Sequence, residues 1–157
     1  MMANDLMQSI LTDPLASSRK ANAPVGLAGF DLPLDLMLCG QRHFTHLPWQ
    51  ADAPTPQADR WLESSFGGWS RSLLQQWFDG AFAHFESVVF SRGDDSSQRL
   101  YYYICELQRR GLLKGPRPLV LDVSQIPRAA SSDNTRRALQ TLLAELGIAA
   151  DAMAQGM

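Results

Sequence analysis

The chain has 157 residues, 45% of them hydrophobic, with a formal charge of −2 and a pI near 5.9. That length buries one core and predicts about one domain. The charge leaves no basic footprint for nucleic acid. No apolar run reaches the roughly 18 residues of a spanning helix, and the N-terminus lacks a basic-then-apolar leader. Cys39 and Cys105 form neither a CxxC pair nor a disulfide framework, so both are expected as free thiols in a reducing cytoplasm.

Residues 1–24 read as a helical lead and linker. Leu6, Met7, Ile10 and Leu11 recur with the spacing of a short amphipathic helix that stops near Pro14, and Ser17 to Pro24 reads as the linker. Residues 25–157 read as a single lobe. Val25 to Phe30 is expected as its first strand. The segment Leu32 to Gly40 alternates leucines like a strand, but Pro33 suits a first helical turn and Gly40 a stop, so a helix is expected. His43 to Trp49 is a short extended piece, and Ala51 to Pro56 a Pro-rich loop. Ala58 to Ser64 and Trp69 to Asp79 read as helices separated by Gly67-Gly68. In the second, Trp69, Leu73, Leu74, Trp77 and Phe78 make one broad apolar face.

Glu86 to Ser91 carries a buried-strand run, Val88-Val89-Phe90. Ser97 to Arg110 is the clearest helix, with Leu100, Tyr103, Ile104 and Leu107 on one face and Gly111 as its stop. Pro118 to Val123 is a further strand. Ser132 to Leu146 is a helix with Leu139, Leu142, Leu143 and Leu146 inward and Gly147 ending it. Continuous apolar strands alternating with helices predict a parallel sheet covered on both faces, a three-layer Rossmann-like (flavodoxin-like) α/β fold. Ligands in such sheets gather beyond the carboxyl ends of the strands. That rule selects Asp31, the run Ser91-Arg92-Gly93-Asp94-Asp95, and Asp122-Val123-Ser124.

Three segments carry a family resemblance. Phe30-Asp31-Leu32-Pro33-Leu34-Asp35-Leu36-Met37-Leu38-Cys39-Gly40 looks like a "P-x-E-L-I-x-A-A-G" segment. Ala58-Asp59-Arg60-Trp61-Leu62, followed by Gly67-Gly68-Trp69-Ser70-Arg71-Ser72, looks like one in which a cysteine precedes Arg-Ser. Val88 to Asp95, followed by Arg99-Leu100-Tyr101, looks like a strand ending in Cys-Asp. Together they resemble the 2-hydroxyacyl-CoA dehydratase / benzoyl-CoA reductase D-component family, over about three quarters of the chain.

The resemblance implies two Rossmann-like lobes with a [4Fe–4S] cluster between them, of which this chain would supply only the first. It also implies thiolate ligands at positions that here hold Gly67 and Asp94, and iron in such a cluster requires soft thiolates. No cofactor is therefore expected, and a cluster only if the family chemistry were retained. Cys39 and Cys105 are read as small buried hydrophobes rather than replacement ligands. The expected role is binding or assembly as a dehydratase-like subunit, completed by a second lobe or an oligomer. The rival readings are an unrelated flavodoxin-like small-molecule binder and a dehydratase component made active by its partner lobe.

Acyl-CoA is the ligand that the resemblance implies. Its phosphates call for guanidinium, which nominates Arg71, Arg92 and Arg128 beside Ser91, Asp94, Asp95, Asp122 and Ser124. The same acidic run also reads as a helix start: Asp94 and Asp95 complement the dipole, with Ser96 as cap. His43 and His46, three apart in an extended segment, face opposite ways and are read as structural. His84 lies beside Phe82 and Phe85 in a short connection, with no serine or cysteine positioned as a nucleophile, which argues against a hydrolase triad. Tyr101-Tyr102-Tyr103 must leave at least one ring exposed.

Overall fold

Four short apolar runs pair into one sheet. In the computed structural model, which describes residues 2–33, 42–149 and 151, they are β1 (Val25–Ala28), β2 (Phe44–His46), β3 (Ser87–Ser91) and β4 (Arg117–Leu121). Every pairing is parallel and the spatial order is β2-β1-β3-β4. β1 and β3 are buried along their whole length, as expected of central strands covered on both faces.

The helices are α1 (Met2–Thr12), α2 (Ala16–Lys20), α3 (Pro56–Asp59), α4 (Gly68–Phe78), α5 (Asp95–Arg109) and α6 (Ala129–Glu145). Alternation along the strands divides the core in two. Ala28, Val88 and Phe90 pack with Leu73, Leu74 and Trp77 of α4 and Leu100, Ile104 and Leu107 of α5. Val25, Leu27, Val89, Leu119 and Leu121 point the other way, onto Leu142, Leu143 and Leu146 of α6. Each fully buried large side chain contributes about 1.5–3 kcal/mol. The molecule is thus a three-layer Rossmann-like α/β fold. Gly26 lies where a Cβ would come within 2.9 Å of Leu47 and 3.0 Å of Val88, so only glycine lets β1 sit between its neighbours. Among the described residues no helix is long and apolar enough to cross a membrane.

Several boundaries differ from the sequence reading. β1 ends at Ala28 rather than Phe30, because Gly29 turns the chain at φ +102°. β4 likewise ends at Leu121, two residues short of Val123. The helix expected over Ala58–Ser64 is only the single turn of α3. Beyond it the chain turns so that Phe66 enters the core, and Arg71 takes the carbonyls of Glu63 and Phe66. The stretch read as a linker contains α2, with Ser18 fully buried. α6 starts at Ala129, a turn before Ser132. Most of the helix expected over Leu32–Gly40, Cys39 included, lies outside the described residues. Gly111 and Gly147 end α5 and α6 at φ +71° and +67°, as glycines past a helix end do. Tyr102 is the exposed member of the tyrosine triplet.

Candidate functional site at the carboxyl edge

In a parallel sheet every strand delivers its following loop to the same edge. Here the loops after β1, β3 and β4 bring Asp31, Arg92 to Asp94, and Asp122 to Gln125 together. Arg92 Nη1 donates to Asp122 Oδ2 at 2.7 Å, and Gln125 Nε2 donates to Asp31 Oδ2 at 3.1 Å. Gly93 fits between the pairs. A Cβ there would lie 3.1 Å from Asp31 Oδ2 and 3.3 Å from Gln125 Nε2. Beneath them, buried Ser91 accepts the Gly93 amide at 3.1 Å, and buried Ser97 donates to the Ala28 carbonyl at 3.1 Å.

The turn after β1 is held under strain. A Cβ on Gly29 would meet Ser97 Oγ at 2.7 Å, so this position excludes a side chain as well as requiring positive φ. Two residues on, Asp31 adopts φ +62°, a conformation that costs a non-glycine residue on the order of 1–3 kcal/mol. The Gln125 hydrogen bond helps to hold it there.

The Asp31–Gln125 bridge stands between two cavities. The larger, about 660 Å³, lies between the β4 loop and α6. Val123, Ile126 and Leu139 give it an apolar lining, and Ser124, Thr135 and Arg136 a polar one. Thr135 Oγ1 accepts the Ser124 amide at 3.1 Å and ties loop to helix. The second, about 610 Å³, lies between the ends of β1 and β2 and is lined by Phe30, Asp31, His46, Trp49 and Trp69.

The nominated residues separate on this geometry. Ser91, Arg92, Asp122 and Ser124 do meet at the edge. Asp94 is the cap of α5: its Oδ1 accepts the amides of Ser96 at 2.9 Å and Ser97 at 3.3 Å, so the cap is Asp94 and not Ser96. Asp95 is exposed, 3.8 Å from Arg99 one turn along α5. Arg71 is fully engaged by protein groups. Its Nη1 meets Asp59 at 2.6 Å, while Nη2 and Nε reach the Glu63 and Phe66 carbonyls at 2.7 and 3.2 Å. Arg128 is exposed at the start of α6. Sequence reasoning missed Gln125, Thr135 and Arg136. Gln125 lies one residue beyond the window taken after β4, and the other two sit early in the helix that follows it.

The positions that the resemblance assigns to iron ligands do not fit a cluster. Gly67 has no donor; it precedes α4, and a Cβ there would meet nothing within 4 Å. Asp94 offers hard oxygen already engaged at the helix start. Burial raises the Cys105 thiol above its ordinary range, despite a hydrogen bond with Tyr101 that lowers it. The same pair pushes Tyr101 up to about 12, again chiefly through burial. Among the described residues no three His, Cys, Asp or Glu side chains group as a metal site would need.

His84 has a serine partner that the sequence did not show, though not one placed to act as a nucleophile. Its Nε2 lies 2.8 Å from the Ser18 hydroxyl, 66 residues away in the chain. Ser18 is fully buried and also bonds the Leu15 carbonyl at 2.8 Å, so it is closed to any substrate and fastens α2 to the domain. His43 does a similar task, with Nε2 at 2.9 Å from Thr45 Oγ1 and 3.4 Å from Ser17 Oγ. Comparison of the chain with protein-family models and with curated proteins gives no match.

Proposed function

We propose that this chain is a ligand-binding lobe of 2-hydroxyacyl-CoA dehydratase type that lacks the thiolate set, with a role in binding or assembly rather than autonomous catalysis. The observation that carries the reading is the carboxyl edge. Polar groups from the β1, β3 and β4 loops form a wall there beside the mixed cavity at α6. An acyl thioester needs an apolar channel for its stem and a cation for its anionic end. Val123, Ile126 and Leu139 serve the first need, and Arg136, with Arg128 at the helix start, the second. Arg92 is less available, because Asp122 holds it at 2.7 Å whereas Asp133 stands 3.6 Å from the exposed Arg136.

No step through a cluster belongs to this proposal, since Gly67 and Asp94 offer no thiolate. A second lobe or partner subunit and a cytoplasmic setting do belong to it. Leu6, Met7, Ile10 and Leu11 support the partner, because α1 leaves all four exposed on an 11-residue helix.

Calorimetry with a panel of CoA thioesters tests the site. Binding that weakens about tenfold in Arg136→Ala is the expected result, the size of one lost charge-assisted contact. No heat at millimolar ligand, with unchanged melting, would remove the acyl-thioester reading. Iron and sulfide analysis of anaerobically purified protein is expected to find neither; about four irons per chain would restore the family chemistry.

A further inference from the structure

The cavity at the ends of β1 and β2 takes no part in that reading, yet three large aromatic rings stand in its described walls. Phe30 is 75% exposed and Trp49 51%, and Trp69 completes the set from the first turn of α4. Large rings left in water forfeit much of the burial that normally holds them, and a group of three around one cavity is a surface awaiting a flat apolar face.

The backbone on either side of these rings is tied to the domain. Trp49 is pinned through the backbone on both sides. The Pro48 carbonyl accepts Gln76 Nε2 at 2.8 Å, and the Gln50 amide donates to Ser72 Oγ at 2.7 Å. Gln76 and Ser72 are themselves buried in α4. Phe30 follows Gly29, which is locked against Ser97, and precedes Asp31, whose carboxylate Gln125 holds. Buried polar side chains thus anchor the backbone that carries two exposed rings, which limits the backbone freedom lost on binding. Asp31 and His46 stand beside the rings with groups that can read the edge of a heterocycle. A volume of about 610 Å³ exceeds one ring system and suits a nucleotide-sized molecule.

From this we infer that the bay between β1, β2 and α4 is a stacking site for a planar, hydrogen-bonding heteroaromatic ring, held by Trp49, Phe30 and Trp69. A purine nucleotide and an isoalloxazine both present that chemistry. The inference stands independently of the acyl-thioester reading, whose cavity lies across the Asp31–Gln125 bridge.

The test is titration of the full chain with adenosine monophosphate and, separately, flavin mononucleotide, followed by tryptophan fluorescence and calorimetry. Saturable binding of at least one is expected, and which one binds identifies the ring class. Trp49→Ala and Phe30→Ala alter exposed side chains, so both should fold, with circular dichroism as the check. Each is expected to weaken binding about tenfold or more, the size of one lost base–aromatic stack. Tyr102→Ala, on the outer side of α5, is expected to bind as the parent does. No binding of either probe at millimolar concentration would overturn the inference. So would binding that both bay variants leave unaltered, or that Tyr102→Ala weakens as much. CoA thioesters also carry an adenine, so the two sites are told apart by variant. CoA binding that Trp49→Ala weakens and Arg136→Ala does not is assigned to this bay. Failure of CoA thioesters to bind while flavin mononucleotide binds removes the acyl-thioester reading and leaves this one.

Discussion

The two edges of the sheet use the same residue types to opposite ends. At the amino edge, Arg42 bonds the Ala23 carbonyl at 3.0 Å, the Leu146 carbonyl and the Glu86 carboxylate, joining the entry to β1, the end of α6 and the start of β3. Ser18 and His84 add a second clasp there, and Arg117 Nη2 reaches the Glu145 carbonyl at 3.2 Å. At the carboxyl edge, Arg92 and Asp122 are each about half exposed and, among the described residues, their side chains hold only one another. Polar groups at the first edge close the chain on itself. Those at the second line cavities, as groups beyond the carboxyl ends of parallel strands do.

Removing the arginine at each edge should expose that contrast. Arg42→Ala leaves two carbonyls and a carboxylate without their partner, and a loss of about 2–3 kcal/mol in urea unfolding is expected. Ser18→Ala comes next, at about 1–2 kcal/mol, because it removes a buried hydroxyl that His84 and Leu15 both use. If either change costs nothing, the amino edge is not the clasp described.

Acid should weaken the same clasp by a smaller amount. Burial, and then the Arg19 guanidinium, hold His84 below its ordinary pKa of about 6.5. The folded state therefore binds fewer protons than the unfolded one. The contribution is complete above about pH 6.5 and is lost as pH falls through the lowered folded value. Asp13, paired with Arg19, and Glu86, paired with Arg42, are the acids on the adjoining segments. Melting temperature against pH for the parent and His84→Gln tests this. The parent should lose more stability on acidification, and parallel curves would assign the loss to carboxylates elsewhere.

Smallest of all is Arg92→Ala, expected within about 0.5 kcal/mol of the parent, because a half-exposed pair is worth little to folding. A loss as large as that of Arg42→Ala would erase the distinction between the edges.

Part of this organisation was legible in the chain itself. Val88-Val89-Phe90 reads as a central strand because both faces must be apolar, and Leu100, Ile104 and Leu107 are spaced for one helix face. Parallel strands then bring their following loops to one edge, so Asp31, Ser91 to Asp95 and Asp122 to Ser124 could be nominated without coordinates. The resemblance drew attention to Gly67 and Asp94, where glycine offers no donor and aspartate caps a helix.

Other features depended on long-range contact. Whether Arg71 is free or engaged turns on how the chain bends after α3, which one-turn periodicity does not encode. Ser18 and His84 are 66 residues apart, so neither carries a local sign of the other. Trp49 and Phe30 look like any core aromatics in sequence; only the fold leaves their rings exposed, on backbone that Gln76, Ser72 and Ser97 tie down nearby. Local pattern determined strands, helices and the edge, because backbone propensity and apolar periodicity act over a few residues. Tertiary structure decided which polar groups were used up and which remained open, because that depends on partners the chain brings together only when it folds.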